Sequence, residues 1–346
     1  MSDLQSHTQV DIDRDDLSAQ TLDFDAIPVI DIADLNDIDG AKRMAVAVQI
    51  REACERVGFF YVRNHGVRDE LLAAVYGAAR EFFALPAEEK LRVDITKSNR
   101  HRGYCAMGVL QADINHPDAV DRQEAYEVSL ELPETDADYL AGNPMYGPNL
   151  WPARPAAFRI QTTAYVEEMV RLGTRLFRGF ALALGLPEHW FDDKVEKPMG
   201  QLRVIRYPPQ EPGPIDPKMI GIGAHTDYEC FTILSQTAPG LQVRNALGHW
   251  LAAPPIDGAL LINVGDCMER WTNGQFRSTL HRVVNQSGAE RYSLVFFHGA
   301  SYHTVIECLP VCLGEGRPAK YPPVLAGAWT VRNIQAAYKY KPNLLP

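Results

Sequence analysis

Three residues of this chain, His225, Asp227 and His281, have side chains of the types that bind divalent metal ions. His225 and Asp227 are two residues apart in a run that predicts a β-strand, so both side chains are expected on one side. His281 follows after 281 − 227 = 54 residues, in a second strand-like run. Two imidazoles and one carboxylate can hold one face of a ferrous ion and leave the other face open to a chelating co-substrate and O2.

Arg291 and Ser293 follow the second histidine and could bind the far carboxylate of such a co-substrate. The apolar run 294–297 predicts a buried strand, in which an arginine needs an anionic partner. Arg291 could instead be an ordinary surface arginine. Taken alone, His225 and Asp227 could be part of a turn or a surface pair. The whole set is more specific than either pair, since the chain has 10 histidines and a short coincidence is unremarkable.

The order and spacing of several runs resemble the non-haem iron, 2-oxoglutarate-dependent dioxygenases of the isopenicillin N synthase-like branch. The runs are residues 27–32, 58–67, 202–209, 223–228, 265–274, 278–285 and 290–293. The resemblance covers roughly residues 26 to 310. It implies a mixed α and β fold with a double-stranded β-helix (jelly-roll) core and flanking helices. It also implies Fe(II) as metal, 2-oxoglutarate as co-substrate and O2.

The resemblance also implies roles for individual residues. His225, Asp227 and His281 would bind Fe(II), and Arg291, Ser293 and Tyr207 would bind the C5 carboxylate of 2-oxoglutarate. Arg203 is a further predicted contact, because relatives that make ethylene from 2-oxoglutarate carry a similar run. Arg206 is three residues further along an extended segment and is expected on the opposite side.

The expected activity couples oxidative decarboxylation of 2-oxoglutarate to hydroxylation, desaturation or cyclisation of a small organic substrate. One alternative is an isopenicillin N synthase-type oxidase that uses no 2-oxoglutarate. An ethylene-forming-type enzyme is another, and a metal-binding regulator that has lost turnover is a third. The metal ligands serve the oxygenase and the oxidase equally, so both stay open at this point.

Several polar and aromatic residues are candidates for the substrate pocket, and each of them could equally be a packing residue. They are Arg100, Arg102, Tyr104, Tyr126, Tyr228 and Phe297. His298 stands where relatives usually carry an Asn- or Asp-Pro turn, so the local loop could bring this histidine near the pocket.

Composition excludes several other classes of protein. The formal net charge of −10 and the lack of a long basic run give no footprint for nucleic-acid binding. No stretch of about 18 apolar residues predicts a membrane span, and the first residues do not resemble a signal peptide. A cytoplasmic protein is expected. The 6 cysteines lack the spacing of a structural zinc site and are expected to be reduced.

The pattern along the chain predicts four regions. Residues 1–25 are acidic and expected to be flexible, and 26–195 form a mainly helical N-terminal region. Residues 196–303 are expected to form the jelly-roll core, followed by a C-terminal extension over 304–346. Helical periodicity predicts helices near 41–57, 69–83, 158–184 and 334–340.

Overall fold

The computed structural model describes residues 27–113, 118, 120–210, 216, 218–285 and 288–338. The predicted acidic segment 1–25 lies outside these residues. The helices are α1 (Gly40–Arg56), α2 (Asp69–Phe83), α3 (Ala87–Lys90), α4 (Ala137–Leu140), α5 (Ala156–Ala183), α6 (Asp266–Trp271) and α7 (Ala326–Ala337). The first strands are β1 (Val29–Asp31), β2 (Phe59–Arg63), β3 (Gly103–Cys105), β4 (Glu124–Ser129), β5 (Gln201–Tyr207), β6 (Ile222–His225) and β7 (Phe231–Gln236). The remaining strands are β8 (Leu241–Arg244), β9 (Trp250–Ala252), β10 (Ala259–Val264), β11 (His281–Val283), β12 (Arg291–His298), β13 (Val305–Ile306) and β14 (Val324–Leu325).

Two sheets form the centre of the molecule. The major sheet has the strand order β1-β2-β10-β7-β12-β5-β4-β3, and the minor sheet has the order β6-β11-β8-β9. Neighbouring strands are antiparallel except β1 and β2. The ring of Phe59 on the major sheet contacts that of His281 on the minor sheet, with centroids 5.4 Å apart. The predicted jelly-roll core is confirmed, and the interior between the two sheets can hold a site.

Strand β12 shows how the major sheet separates its two faces. Successive side chains of a strand point to opposite faces. Arg291, Ser293 and Phe297 therefore share the inner face, toward the minor sheet. Phe296 and His298 share the outer face, and the His298 ring lies 5.1 Å from that of Phe177 on α5.

Helices α1, α2 and α5 cover the outer face and complete the main core. On α5, Phe177 and Phe180 both pack against Phe231 of β7, with ring centroids 4.9 and 5.1 Å apart. Full burial of one such ring contributes roughly 1.5–3 kcal/mol. The three predicted helices near 41–57, 69–83 and 158–184 match α1, α2 and α5 within two residues at each end.

Helix α7 differs from the prediction because it begins at Ala326, eight residues before 334. Its first turns contain Gly327 and Thr330, which are weak helix formers, so the local pattern did not indicate a helix. Tertiary packing supplies the stabilisation. A Cβ atom on Gly327 would lie 2.3 Å from the ring of Tyr302, so the helix backbone packs directly on that ring.

The predicted division into regions remains a prediction. The major sheet takes β1 to β4 from residues 26–195 and its other four strands from residues 196–303. The two regions therefore share one sheet and one core. Within the described ranges, no helix has both the length and the apolar composition needed to cross a lipid bilayer.

Replacement of Gly173 by alanine is expected to destabilise the fold. The added Cβ would lie 2.0 Å from Cδ2 of the fully buried His298 ring, and overpacking typically costs about 1–3 kcal/mol. Urea unfolding measures the change. Gly77→Ala is the matched control, because nothing lies within 4 Å of a Cβ on this helical glycine. The control is expected to raise the unfolding free energy by up to about 1 kcal/mol, and equal values for the two variants would contradict the prediction.

Candidate metal centre

His225, Asp227 and His281 converge in the interior between the sheets. His225 is the last residue of β6 and lies opposite His281, the first residue of β11. One ligand atom from each of the three residues lies within 4.8 Å of the others. Nε2 of each histidine is 3.7 Å from Oδ1 of Asp227. Asp227 lies beyond the end of β6 rather than on the predicted strand, but its side chain still points to the two imidazoles.

Backbone carbonyls fix the orientation of both imidazoles. Nδ1 of His225 is 2.8 Å from the carbonyl oxygen of Gly223, and Nδ1 of His281 is 3.1 Å from that of Thr279. A carbonyl oxygen can only accept, so Nδ1 is the protonated nitrogen and the Nε2 lone pair points toward Asp227. Burial, followed by the neighbouring His281, lowers the pKa of His225 to about 4. This imidazole is therefore neutral at pH 7, as a metal ligand must be.

Two side chains of the major sheet hold the Asp227 carboxylate. Asn263 Nδ2 donates to Oδ2 at 2.6 Å, and the Thr232 hydroxyl donates to the same oxygen. Oδ1 is thus the oxygen that points to the histidines. Burial alone would raise the pKa of Asp227, but His281, His225 and these two donors bring it below its ordinary value. The carboxylate is ionised at neutral pH.

Thr232 and Asn263 were not predicted from the sequence. The available signal was weak: Asn263 is the single polar residue of the strand Ala259–Val264, and Thr232 lies among the apolar residues at the start of the strand Phe231–Gln236. They are adjacent partners in the β7 and β10 ladder. The cross-strand register therefore brings them to the same carboxylate.

Replacement of Asn263 by alanine is expected to weaken iron binding about 10- to 100-fold, the usual effect of losing a group that orients a metal ligand. The Asp227 carboxylate would keep the Thr232 donor and lose its other fixed partner. Titration of the purified protein with Fe(II) under anaerobic conditions measures the affinity. Asn36→Ala, at an exposed position, is the control. An Fe(II) affinity that is the same in both variants would show that Asn263 does not position the ligand.

Arg291, Ser293 and Tyr207 lie together on the inner face. Arg291 is opposite Tyr207 in the β12 and β5 ladder, and its guanidinium lies 4.6 Å from the centre of the Tyr207 ring. Its Nη2 donates to Gln236 Oε1 at 2.6 Å and its Nε to the Ala238 carbonyl at 3.0 Å. Burial raises the pKa of the Tyr207 hydroxyl, so this group stays protonated and able to donate.

Two atoms of this group have no hydrogen-bond partner among the described residues. They are Arg291 Nη1 and Ser293 Oγ, and both residues are buried. A buried donor without a partner costs roughly 1–3 kcal/mol, and more when it is charged. A carboxylate bound at this position would satisfy both atoms, so the side chains present fit the far end of an oxo-diacid.

The metal ligands and the arginine share one interior space. Phe297 is on the same face of β12 as Arg291 and Ser293, and it lies opposite Thr232 of β7. Thr232 in turn donates to Asp227. Phe297 is therefore next to the metal ligands, in line with its prediction as a pocket residue.

Tyr104 and Tyr126 are packing residues rather than pocket residues. They are partners in the β3 and β4 ladder. Tyr126 packs on the outer face against Phe82 and Phe158, with ring centroids 5.0 and 4.9 Å apart. The Tyr104 hydroxyl donates to Glu124. Side chains alternate along β4, so Glu124 points to the same outer face as Tyr126, away from the interior.

Arg100 and Arg102 stabilise a loop. Arg102 is buried and donates to the carbonyl oxygens of Arg100 and Met145, each at 2.6 Å. Arg100 Nε donates to the Tyr146 carbonyl at 2.9 Å. Burial lowers the pKa of Arg102 to about 10. The two side chains hold segment 143–147 in place, and these contacts with backbone carbonyls account for the burial of Arg102 without an anionic ligand.

Arg203 is buried, as predicted, and Arg206 lies on the other side of β5. Arg206 pairs with Glu124 and Glu290 at 2.7 and 2.6 Å. Arg203 Nη1 donates to the Tyr338 hydroxyl at 2.6 Å and lies 3.2 Å from Glu127. The described partners of Arg203 are therefore protein groups, and its contact with 2-oxoglutarate stays a prediction.

His298 is on the outer face of the major sheet and not near the pocket. It is five residues from Ser293, an odd number, so the two side chains point to opposite faces. Its ring packs with Phe177 and Phe231 at 5.1 and 5.2 Å. The expectation that the altered loop brings His298 to the pocket is wrong, because strand alternation continues through residue 298.

Comparison with known proteins agrees with this geometry. Residues 27–154 match the family described as the N-terminal region of the non-haem dioxygenase in morphine synthesis, and residues 199–300 match the 2OG-Fe(II) oxygenase superfamily. A 2-oxoglutarate-Fe(II) type oxidoreductase of Emericella nidulans is 36% identical over 320 residues, 91% of this chain and 90% of the relative. A homoarginine-6-hydroxylase of Oryza sativa subsp. japonica is 35% identical over 324 residues, 90% of this chain and 97% of the relative.

Solved structures show the same fold. The full-length Neurospora crassa T7H in complex with alpha-KG and thymine has a TM-score of 0.78 at 28% identity, covering 90% of this chain and 96% of that one. JOX2 in complex with 2OG, Fe and JA has a TM-score of 0.73 at 30% identity, covering 90% and 85%. The chain belongs to the 2OG-Fe(II) oxygenase superfamily. It is an oxidoreductase that uses Fe(II), 2-oxoglutarate and O2, so an oxidase that needs no 2-oxoglutarate is not favoured.

Proposed function

We propose that His225, Asp227 and His281 bind the Fe(II), and that Arg291, Ser293 and Tyr207 bind the C5 carboxylate of 2-oxoglutarate. The observation that carries this proposal is the pair of buried, partnerless atoms, Arg291 Nη1 and Ser293 Oγ, on the same interior face as the metal ligands. The donor set supports iron, since two neutral imidazoles and one carboxylate leave open positions for a chelating co-substrate and O2.

Fe(II) held by these residues would activate O2, which is the oxidant. 2-Oxoglutarate would supply two of the four electrons and leave as succinate and CO2, and the organic substrate would supply the other two. The residues of this chain position the reactants. The carbonyls of Gly223 and Thr279 hold the imidazoles, and Thr232 and Asn263 hold the carboxylate. Arg291 fixes the far end of the co-substrate. The burial of Asp227 and His281 would limit the access of water to the metal centre.

The proposed reaction is hydroxylation of a small, nitrogen-bearing organic molecule. Two relatives support this choice: one is named as a homoarginine hydroxylase, and the other was solved with thymine. Desaturation and cyclisation remain distinguishable by product mass, because hydroxylation adds an oxygen atom and the other two remove two hydrogens. An ethylene-forming reaction and a regulator without turnover have no specific observation in their favour. The cytoplasmic location and the absence of a nucleic-acid partner stay predictions from sequence.

The test is succinate formation. The purified protein is loaded with Fe(II) and 2-oxoglutarate without oxygen, exposed to O2, and offered pools of small polar metabolites. Mass spectrometry then measures succinate and any product. Succinate that increases with one pool, together with a product one oxygen atom heavier, is expected. A protein that releases no succinate from 2-oxoglutarate with any pool would contradict the proposal.

A further inference from the structure

A second group of buried polar side chains lies in the interior, apart from the proposed metal and 2-oxoglutarate sites. We call it the inner polar cluster: Glu127 of β4, Gln201 and Arg203 of β5, and Tyr338 just after α7. Glu127 has 0% exposure. It accepts hydrogen bonds from Gln201 Nε2 at 2.7 Å and from the Tyr338 hydroxyl at 2.9 Å. Arg203 Nη1 lies 3.2 Å from the same carboxylate.

The strand register places this cluster beside the metal ligands. Gln201 is opposite Phe297, and Phe297 is opposite Thr232, the donor to Asp227. Gln201 and Thr232 are therefore two strands apart on one row, which is about 10 Å at the usual strand spacing. Arg203 is on the same face as Gln201, and it lies opposite Glu127. A small molecule is long enough to contact the cluster and still reach the metal centre.

Helix α7 closes this part of the interior. Trp329 Nε1 of α7 donates to the carbonyl of Tyr228 at 2.9 Å, and Tyr228 directly follows Asp227. At the other end of the helix, the hydroxyl of Tyr338 joins Glu127 and Arg203. The helix thus spans from the metal-ligand loop to the inner polar cluster. The cluster is therefore buried in the interior and is linked through α7 to the residue that follows Asp227.

The cluster keeps hydrogen-bonding capacity on both of its charged members. Arg203 has five N–H groups. Its Nη1 donates to Tyr338, whereas its Nε is buried and has no hydrogen-bond partner among the described residues. Glu127 offers about four lone-pair sites, and Gln201, Tyr338 and Arg203 occupy three of them. Among the described residues, the pair of Arg203 and Glu127 therefore keeps one donor and one acceptor site for a ligand.

The charges of the cluster select the kind of group that it can bind. The charges of Arg203 and Glu127 balance each other. A ligand carboxylate would be repelled by Glu127, and a ligand cation would be repelled by Arg203. Like charges placed together in this way are unfavourable. A neutral group with a carbonyl oxygen next to an N–H can accept from Arg203 and donate to Glu127. Amides, lactams and imides have this edge.

We propose that the inner polar cluster is the substrate subsite and binds a neutral amide-type edge, holding the rest of the substrate toward the metal centre. This proposal rests on the proposed oxygenase function and names its substrate class. It gives Arg203 a role in substrate binding rather than the co-substrate role predicted from the sequence.

The experiment is calorimetric titration of the full chain loaded with Fe(II) and 2-oxoglutarate under anaerobic conditions. The probes are thymine and 2-pyrrolidone as neutral amide-type molecules, benzoate as a carboxylate and homoarginine as a guanidinium cation. The neutral probes are expected to bind more tightly than the charged ones. Glu127→Gln is expected to weaken thymine binding about 10- to 100-fold, because the side chain loses its charge and one of its two acceptor oxygens.

Glu290→Gln is the matched control, since Glu290 pairs with Arg206 on the other side of β5, and its thymine affinity is expected to equal that of the natural chain. Tyr338→Phe keeps the ring and removes one hydroxyl, so a smaller loss, about 2- to 10-fold, is expected even if E127Q fails to fold. Arg203→Lys is expected to change thymine affinity and to leave the requirement for 2-oxoglutarate unchanged. An unchanged thymine affinity together with an altered requirement for 2-oxoglutarate would place Arg203 in the co-substrate site.

The subsite proposal is overturned if neither neutral probe binds, or if homoarginine or benzoate binds more tightly than both. Equal thymine affinities in folded E127Q and E290Q would also overturn it. Succinate formation is measured after the same samples have been exposed to O2. Succinate without binding of a neutral probe contradicts the subsite and leaves the oxygenase function in place. Binding of a neutral probe, with no succinate released in the presence of any probe or metabolite pool, contradicts the oxygenase function alone.

Discussion

Replacement of Asp227 by alanine is expected to abolish iron binding and succinate formation together. Asp227 is the one anionic member of the proposed ligand set, and its Oδ1 lies 3.7 Å from both histidine Nε2 atoms. Without it, two neutral imidazoles would have to hold a dication alone. The loss is expected to exceed the roughly 100-fold effect of removing a group that only orients a ligand. His225→Ala should give the same result.

Metal analysis after anaerobic loading with Fe(II) and removal of free ion measures the first effect, and succinate release measures the second. Asp193→Ala is a suitable control, because this aspartate is 76% exposed. Circular dichroism shows whether each variant is folded. If folded Asp227→Ala keeps one bound iron and normal succinate release, the ligand assignment is wrong.

Replacement of Arg291 by alanine is expected to raise the concentration of 2-oxoglutarate needed for half-maximal activity. A hydrogen bond to a charged group contributes about 1.5–3 kcal/mol, which corresponds to roughly 10- to 150-fold in affinity. Ser293→Ala removes only a neutral donor, so a smaller change of about 2- to 10-fold is expected. Iron content should be unaffected in both variants, because neither side chain belongs to the metal-binding group.

The measurement is succinate release as a function of 2-oxoglutarate concentration. Arg159→Ala is the control, since this arginine has an exposed side chain on α5. Arg291→Lys tests the geometry, because lysine keeps the charge but cannot form the planar fork. An Arg291→Ala variant with the dependence on 2-oxoglutarate of the natural chain would remove Arg291 from the co-substrate site.

Much of the metal centre could be predicted from the sequence. Few residue types bind a ferrous ion, and His225 with Asp227 gives two of them at a spacing that places both side chains together. Arg291 was recognisable because an arginine beside a buried strand requires a partner. Helices α1, α2 and α5 were predictable because each has an apolar stripe of helical period.

The positioning groups could not be predicted in the same way. Asn263 is 36 residues from the carboxylate that it holds, and Tyr338 is 211 residues from Glu127. His298, Tyr104 and Tyr126 looked like pocket residues until the strand register showed that they lie on the outer face or pack there. A shift of one residue in register would have reversed each of these assignments.

The kind of chemistry could be predicted along the chain, because His225, Asp227, His281 and Arg291 are residue types that suit iron and an oxo-acid. The three-dimensional structure was needed to show that Thr232 and Asn263 hold the Asp227 carboxylate and that Glu127, Arg203 and Tyr338 come together. Residue types and short spacings can be recognised within a few neighbouring residues of the chain. Pairing between distant strands depends instead on which buried polar groups can satisfy one another across the sheet.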